Sequence, residues 1–169
     1  MVVKEVIQLE NDLYAVHWEG DDDHCFNEML NKYTDAEWLK VYFKDNKGFI
    51  VPGPNSGKYL EDMVYDTIDG IGEMSESIDK GDLDDLDGLF IPLGGNKANY
   101  YYAAKKYKGG THFQWIRIYA IKDDQDCYFI TGYACKFSQS MQGHDDTANE
   151  LKKLQIADSF IKTNKLNIP

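Results

Sequence analysis

Arg117 is the only arginine among 169 residues, and it lies in the run Trp115-Ile116-Arg117-Ile118-Tyr119. In an extended strand alternate side chains share a face, so Trp115, Arg117 and Tyr119 point the same way. A guanidinium is a planar fork that takes two phosphate oxygens at once, and Lys136 can add a second positive charge as a point donor. Tyr119 or His144 can move protons. Cleaving RNA requires a 2′-hydroxyl to be deprotonated, a crowded phosphate to be neutralised and a leaving oxygen to be protonated. Arg117, Lys136, Tyr119 and His144 are therefore the candidate catalytic residues. The plainer alternative for the two cations is a sheet surface on which each pairs with an acidic neighbour.

The charge around this group is unusual for the chain. The formal net charge is -11, from 18 basic and 29 acidic residues, yet the 35 residues from Gly88 to Lys122 hold six cations and no acid. The same stretch contains eight aromatic residues, among them Tyr100, Tyr101, Tyr102, Tyr107 and Trp115. Cations interleaved with rings can clamp phosphates while bases stack, as single-stranded nucleic acid requires. Lys97, Lys105, Lys106, Lys108, Tyr107 and Trp115 are the candidate RNA-binding residues. Tyrosines packed on a sheet, with lysines paired to acidic helices, would give the same composition without any ligand.

These residues need elements to hold them. Val6 to Leu9 and Leu13 to Trp18 are short apolar runs around Glu10-Asn11-Asp12, which predicts a β-hairpin. Helical spacing follows over Asp21 to Asn46 in two helices, with Thr34 and Glu37 as a capping box between them. Phe49 to Gly57, with two prolines and two glycines, predicts a loop able to act as a lid. Lys58 to Lys80 predicts an amphipathic helix weakened at Gly70 and Gly72. Phe113 to Lys122 and Cys127 to Phe137 predict a second hairpin turning about Asp124-Gln125, with Arg117 opposite Gly132 and Tyr119 opposite Ile130. The chain closes with a helix over Thr147 to Thr163, started by a capping box of Thr147 and Glu150. Two hairpins too small to stand alone should join one antiparallel sheet flanked by helices, an α+β class.

Length and composition bound the rest. A chain of 19.4 kDa that is 43% hydrophobic fits a single domain, with a hairpin and acidic helices over about 1–87 and a sheet and closing helix over about 88–169. The acidic balance excludes a generic nucleic-acid coat or an anionic-membrane binder. Cys25, Cys127 and Cys135 form no Cys-x-x-Cys pair and suit a reducing compartment. With no export signal over Met1 to Leu9 and no membrane-length apolar run, a soluble cytoplasmic protein is expected.

No cofactor is expected. Asp21-Asp22-Asp23-His24-Cys25 are consecutive and splay in different directions, so an acidic helix start accounts for them better than a metal. Asp79, Asp82, Asp84, Asp85 and Asp87 lack the EF-hand pattern and read as a solvated linker. Tyr59 stands where a phosphate-binding loop after Gly57-Lys58 needs a hydroxyl residue, which excludes that nucleotide site.

The run Trp115 to Ile121, a polar turn, Cys127 to Gly132, then Lys136-Phe137-Ser138-Gln139-Ser140 and a capped helix resembles the C-terminal half of RelE/HigB-like toxins of bacterial type II toxin-antitoxin systems. Leu89-Phe90-Ile91-Pro92-Leu93 upstream fits the same order, and the resemblance covers about Leu86 to Asn164. It implies a RelE-like fold and a metal-independent endoribonuclease that cuts messenger RNA on the ribosome and is neutralised by an antitoxin protein. By position Arg117 looks like the phosphate-contacting arginine, and Lys136 like the lysine ending the last strand. The chain departs from such toxins in its long acidic N-terminal half, in Phe137 directly after Lys136, and in lacking a proline before the last helix. The competing class is a non-catalytic module whose acidic helices bind a basic protein partner.

Overall fold

A computed structural model of the chain describes residues 1–46, 60–79, 86–93, 101–104, 116–135 and 145–164. Strands β1 (Val3–Glu10) and β2 (Leu13–Trp18) form the first hairpin, and α1 (Cys25–Tyr33), α2 (Ala36–Asp45) and α3 (Leu60–Asp79) follow. A single helical turn, α4 (Leu86–Leu89), leads into β3 (Phe90–Pro92) and β4 (Tyr101–Ala104). The second hairpin is β5 (Ile116–Lys122) and β6 (Tyr128–Cys135), and α5 (Asp145–Asn164) comes last.

The six strands make one sheet in the order β1-β2-β6-β5-β4-β3. Both hairpins enter it as expected, but the sheet is mixed, because β2 and β6 run parallel with Leu13 opposite Tyr128 and Ala15 opposite Ile130. The reason lies at the turns. Asp12 takes the left-handed conformation in the first turn and Asp126 in the second, and the Tyr128 amide donates to the Asp12 carbonyl at 2.7 Å. Two strands that each leave a turn at the same end of the sheet must run the same way. All six residues of β2 are buried, as a strand with a neighbour on each side and cover on both faces requires.

Side chains end the helices at defined places. His24 caps α1 by accepting the Asn27 amide at Nδ1, while Asp23 holds the Asn27 side chain at 2.9 Å. Asp35 caps α2, accepting from the amides of Glu37 and Trp38 at 3.0 Å each. Thr34, expected as that cap, instead closes α1 by donating to the Leu30 carbonyl. The carboxylate one residue later is the stronger acceptor for orphan amides, and it takes the position. Helix α3 runs through Gly70 and Gly72 unbroken, held by Met63, Val64, Ile71 and Met74 in the core. No helix among the described residues is long and apolar enough to cross a membrane.

Candidate active site

The second hairpin sets the site. Pairing across it places Arg117 opposite Ala134 and Tyr119 opposite Gly132, two residues along β6 from the expected register. One residue of the shift arises at the turn, where Lys122 pairs with Tyr128 instead of Cys127, and one at an irregularity between Tyr119 and Ala120, where Thr131 is the extra residue on β6. Arg117, Tyr119, Gly132 and Ala134 share a face, so small residues lie across from the guanidinium.

The space above Gly132 is filled from α5. A Cβ built on Gly132 would fall inside the carboxylate of Glu150, so the strand and the acid approach each other only because this position has no side chain. Glu150 is 4% exposed. Its Oε1 accepts from Lys153 Nζ at 2.8 Å, and its Oε2 is buried with no partner. Burial pushes this carboxyl up to about 7, against the opposing pull of Lys153.

Two further atoms on the same seam share that condition. Arg117 is half-buried, and its guanidinium donates to the Ile116 carbonyl at 2.7 Å, leaving Nε buried and unpaired. Burial lowers its proton affinity, while the neighbouring Tyr119 phenol raises it. The Tyr119 hydroxyl is buried without a partner, and its acidity is weakened by burial, with Arg117 acting the other way and Glu150 adding to the effect. Among the described residues these three groups are the buried side-chain polar atoms without a hydrogen bond. Each such group costs about 1–3 kcal/mol if nothing satisfies it, and a catalytic role is one of the reasons native proteins keep them.

The sequence-derived candidates divide accordingly. Arg117 and Tyr119 are brought together, and Arg117 forms no ion pair with a carboxylate among the described residues. Tyr119, at 1% exposed, is a buried neighbour of the guanidinium. Lys136, His144, Lys97, Lys105, Lys106, Lys108, Tyr107, Trp115 and the loop over Phe49 to Gly57 lie outside the described residues. Lys122, from the same acid-free stretch, is tied down by Asp87 at 2.7 Å and Asp126 at 3.0 Å above the Tyr128 ring. Phe90 and Tyr102 pack on that ring too, so this part of the basic, aromatic stretch serves the sheet.

Glu150 escaped the sequence reading because Thr147-x-x-Glu150 has capping-box spacing. In fact α5 begins at Asp145, and Thr147 is buried inside it. A different signal identifies the acid. Thr147, Glu150, Leu154, Ala157 and Ile161 follow alternate steps of three and four, the stripe a helix turns to the core, and Glu150 is its one carboxylate.

Beside the seam opens a cleft of about 370 Å³ lined by Lys32, Trp38, Tyr42, Tyr133, Asn149, Glu150 and Lys153, among others, with Ala134, the register partner of Arg117, also in its wall. The seam thus carries a cation on β5 and, in the wall of the cleft, a buried carboxyl pushed up to about 7. Such a set can hold an anion and exchange a proton with it. Among the described residues no three histidine, cysteine or acidic side chains gather as a metal would need. No protein-family model, curated protein or solved structure matches the chain.

Proposed function

We propose that the chain is a RelE/HigB-like toxin, an endoribonuclease that cuts messenger RNA on the ribosome and is held inactive by an antitoxin, with Arg117 and Glu150 at its centre. The observation that carries this reading is the Glu150 carboxylate, buried against Gly132 with one oxygen unpaired, on the same face as the only arginine. The Glu150 carboxylate takes the proton of a ribose 2′-hydroxyl, and O2′ attacks the adjacent phosphorus. The bond from phosphorus to the 5′-oxygen breaks, leaving a 2′,3′-cyclic phosphate and a 5′-hydroxyl. A separate acid protonates that leaving oxygen, a task the sequence offers to His144. Arg117 neutralises the negative charge that builds on the phosphate. Tyr119 lies beside the guanidinium on the same face of β5.

The deciding experiment is induced expression of the wild type and of Arg117→Ala, with growth and transcript cleavage followed together. The reading requires growth arrest and cut messenger RNA with the wild type and relief of both with the variant. Unimpaired growth and intact transcripts with a folded wild-type protein would discard it in favour of a non-catalytic partner of a basic protein.

A further inference from the structure

The cleft beside Glu150 has the chemistry of a nucleotide site. One wall is aromatic. Trp38 and Tyr42 stack at 4.8 Å, Tyr33 meets Trp38 at 5.8 Å, and the Tyr33 and Tyr133 rings pack edge to face at 5.2 Å. Two cations stand at the opening, the exposed Lys32, 5.9 Å over the Tyr133 ring, and Lys153, 6.0 Å over the Trp18 ring. Lys153 spends one donor on Glu150 and keeps two more. Asn149 adds an exposed amide with both donors and acceptor, and the Asp146 carboxylate is engaged by the Tyr42 hydroxyl at 2.7 Å. The volume is that of a small-ligand site, for which 300 Å³ is about the lower bound.

We infer that this cleft holds one nucleotide of single-stranded RNA, the one whose 2′-hydroxyl is presented to Glu150. Its base lies against the Trp38 and Tyr133 wall, Asn149 meets the base edge, and Lys32 and Lys153 hold the flanking phosphates. An apolar peptide would leave both lysines and the buried acid without counterparts, and a free inorganic anion would leave the aromatic wall uncovered. A nucleotide satisfies all three. Apart from Tyr133 of β6, the wall comes from α1 and α2, in the half of the chain to which the sequence assigned no chemistry, which gives that half a role in substrate selection. This inference rests on the ribonuclease reading for the orientation of the sugar, but not for binding itself.

The test uses a 2′-O-methyl tetraribonucleotide, which cannot be cut, titrated into the full-length protein while amide and indole resonances are followed. Saturable shifts at the Trp38 indole and the Asn149 side-chain amide are expected. Lys32→Glu, an exposed change, should weaken binding roughly tenfold or more through the loss of one charge-assisted contact and its reversal, with an unaltered melting temperature. A tetranucleotide that shifts only resonances in the lysine-rich residues 94–115, or that binds Lys32→Glu as well as wild type, would overturn the inference. The two readings fail separately. Binding in the cleft without cleavage of unmodified RNA keeps the nucleotide site and removes the nuclease, whereas cleavage with an unchanged KM in Lys32→Glu keeps the nuclease and removes the site.

Discussion

The first hairpin and the second treat buried polar groups in opposite ways. In the first, His17 is buried with both ring nitrogens engaged, one by Glu5 at 3.1 Å and one by the Asp21 carbonyl at 3.1 Å. The indole of Trp18 donates to the Thr131 carbonyl at 2.8 Å, and just beyond the hairpin, at the start of α1, the Cys25 thiol donates to the Ile130 carbonyl. In the second, Arg117, Tyr119 and the acid above Gly132 each leave a buried atom unpaired. Polar groups that serve only stability end up paired, since an orphan costs as much as several apolar contacts gain. A seam that keeps three of them is held in that state by the rest of the fold, and its groups remain available to something else.

That contrast makes substitutions in the two regions separable. The largest effect is expected at Arg117. Arg117→Ala should lower RNA cleavage by about 1.5–3 kcal/mol, roughly 10- to 150-fold, and Arg117→Lys nearly as far, since a point charge does not reproduce a two-pronged contact. Cleavage rates beside thermal melts check this, and full activity in either variant would remove the guanidinium from the mechanism.

Glu150→Gln comes next and acts on stability with a defined sign. The folded protein keeps the Glu150 proton up to about pH 7, while the unfolded chain releases it near the ordinary 4.5. The folded state therefore binds more protons between those values, and stability falls as pH rises from about 4.5 to about 7 and levels off above. The full decline is about 3 kcal/mol. Glu150→Gln should melt several degrees higher than wild type at pH 8 and match it at pH 4. Parallel melting curves across that range would mean that the acid is not buried as described.

In the first hairpin the outcome reverses. Trp18→Phe leaves the Thr131 carbonyl without its donor and should cost about 1–3 kcal/mol in urea unfolding. The smallest effect is predicted for Tyr119→Phe. Removing a buried hydroxyl that bonds to nothing relieves its desolvation cost, so stability should rise by about 1 kcal/mol, and a loss would show that the phenol has a partner after all.

Much of this was readable from residue types. Turn chemistry at Asn11-Asp12 and over Asp123 to Asp126 identifies both hairpins, and apolar spacing identifies α3 and α5. Strand order was not readable, because β2 has apolar residues on both faces and nothing in it says which edge of the second hairpin it will meet. The parallel join pairs three residues of each strand and is extended by a backbone contact from Tyr128 to Asp12, more than a hundred residues apart in sequence. Register failed for a related reason, since a turn one residue longer than expected and an extra residue at Thr131 leave no mark in an apolar strand. For the site, the lone arginine drew attention by its rarity, whereas Glu150 is one acid among 29 acidic residues and only its place on the buried stripe of α5 sets it apart.

The most direct test of a reaction centre at this seam is the pH dependence of single-turnover cleavage of ribosome-bound messenger RNA by the wild type and by Glu150→Gln, at matched folded fraction. With Glu150 as the base, the wild-type rate climbs with a midpoint near pH 7, as the carboxyl loses its proton. The variant is slower and lacks that inflection. The same profile in both proteins, or no cleavage by the wild type at any pH, would contradict the account.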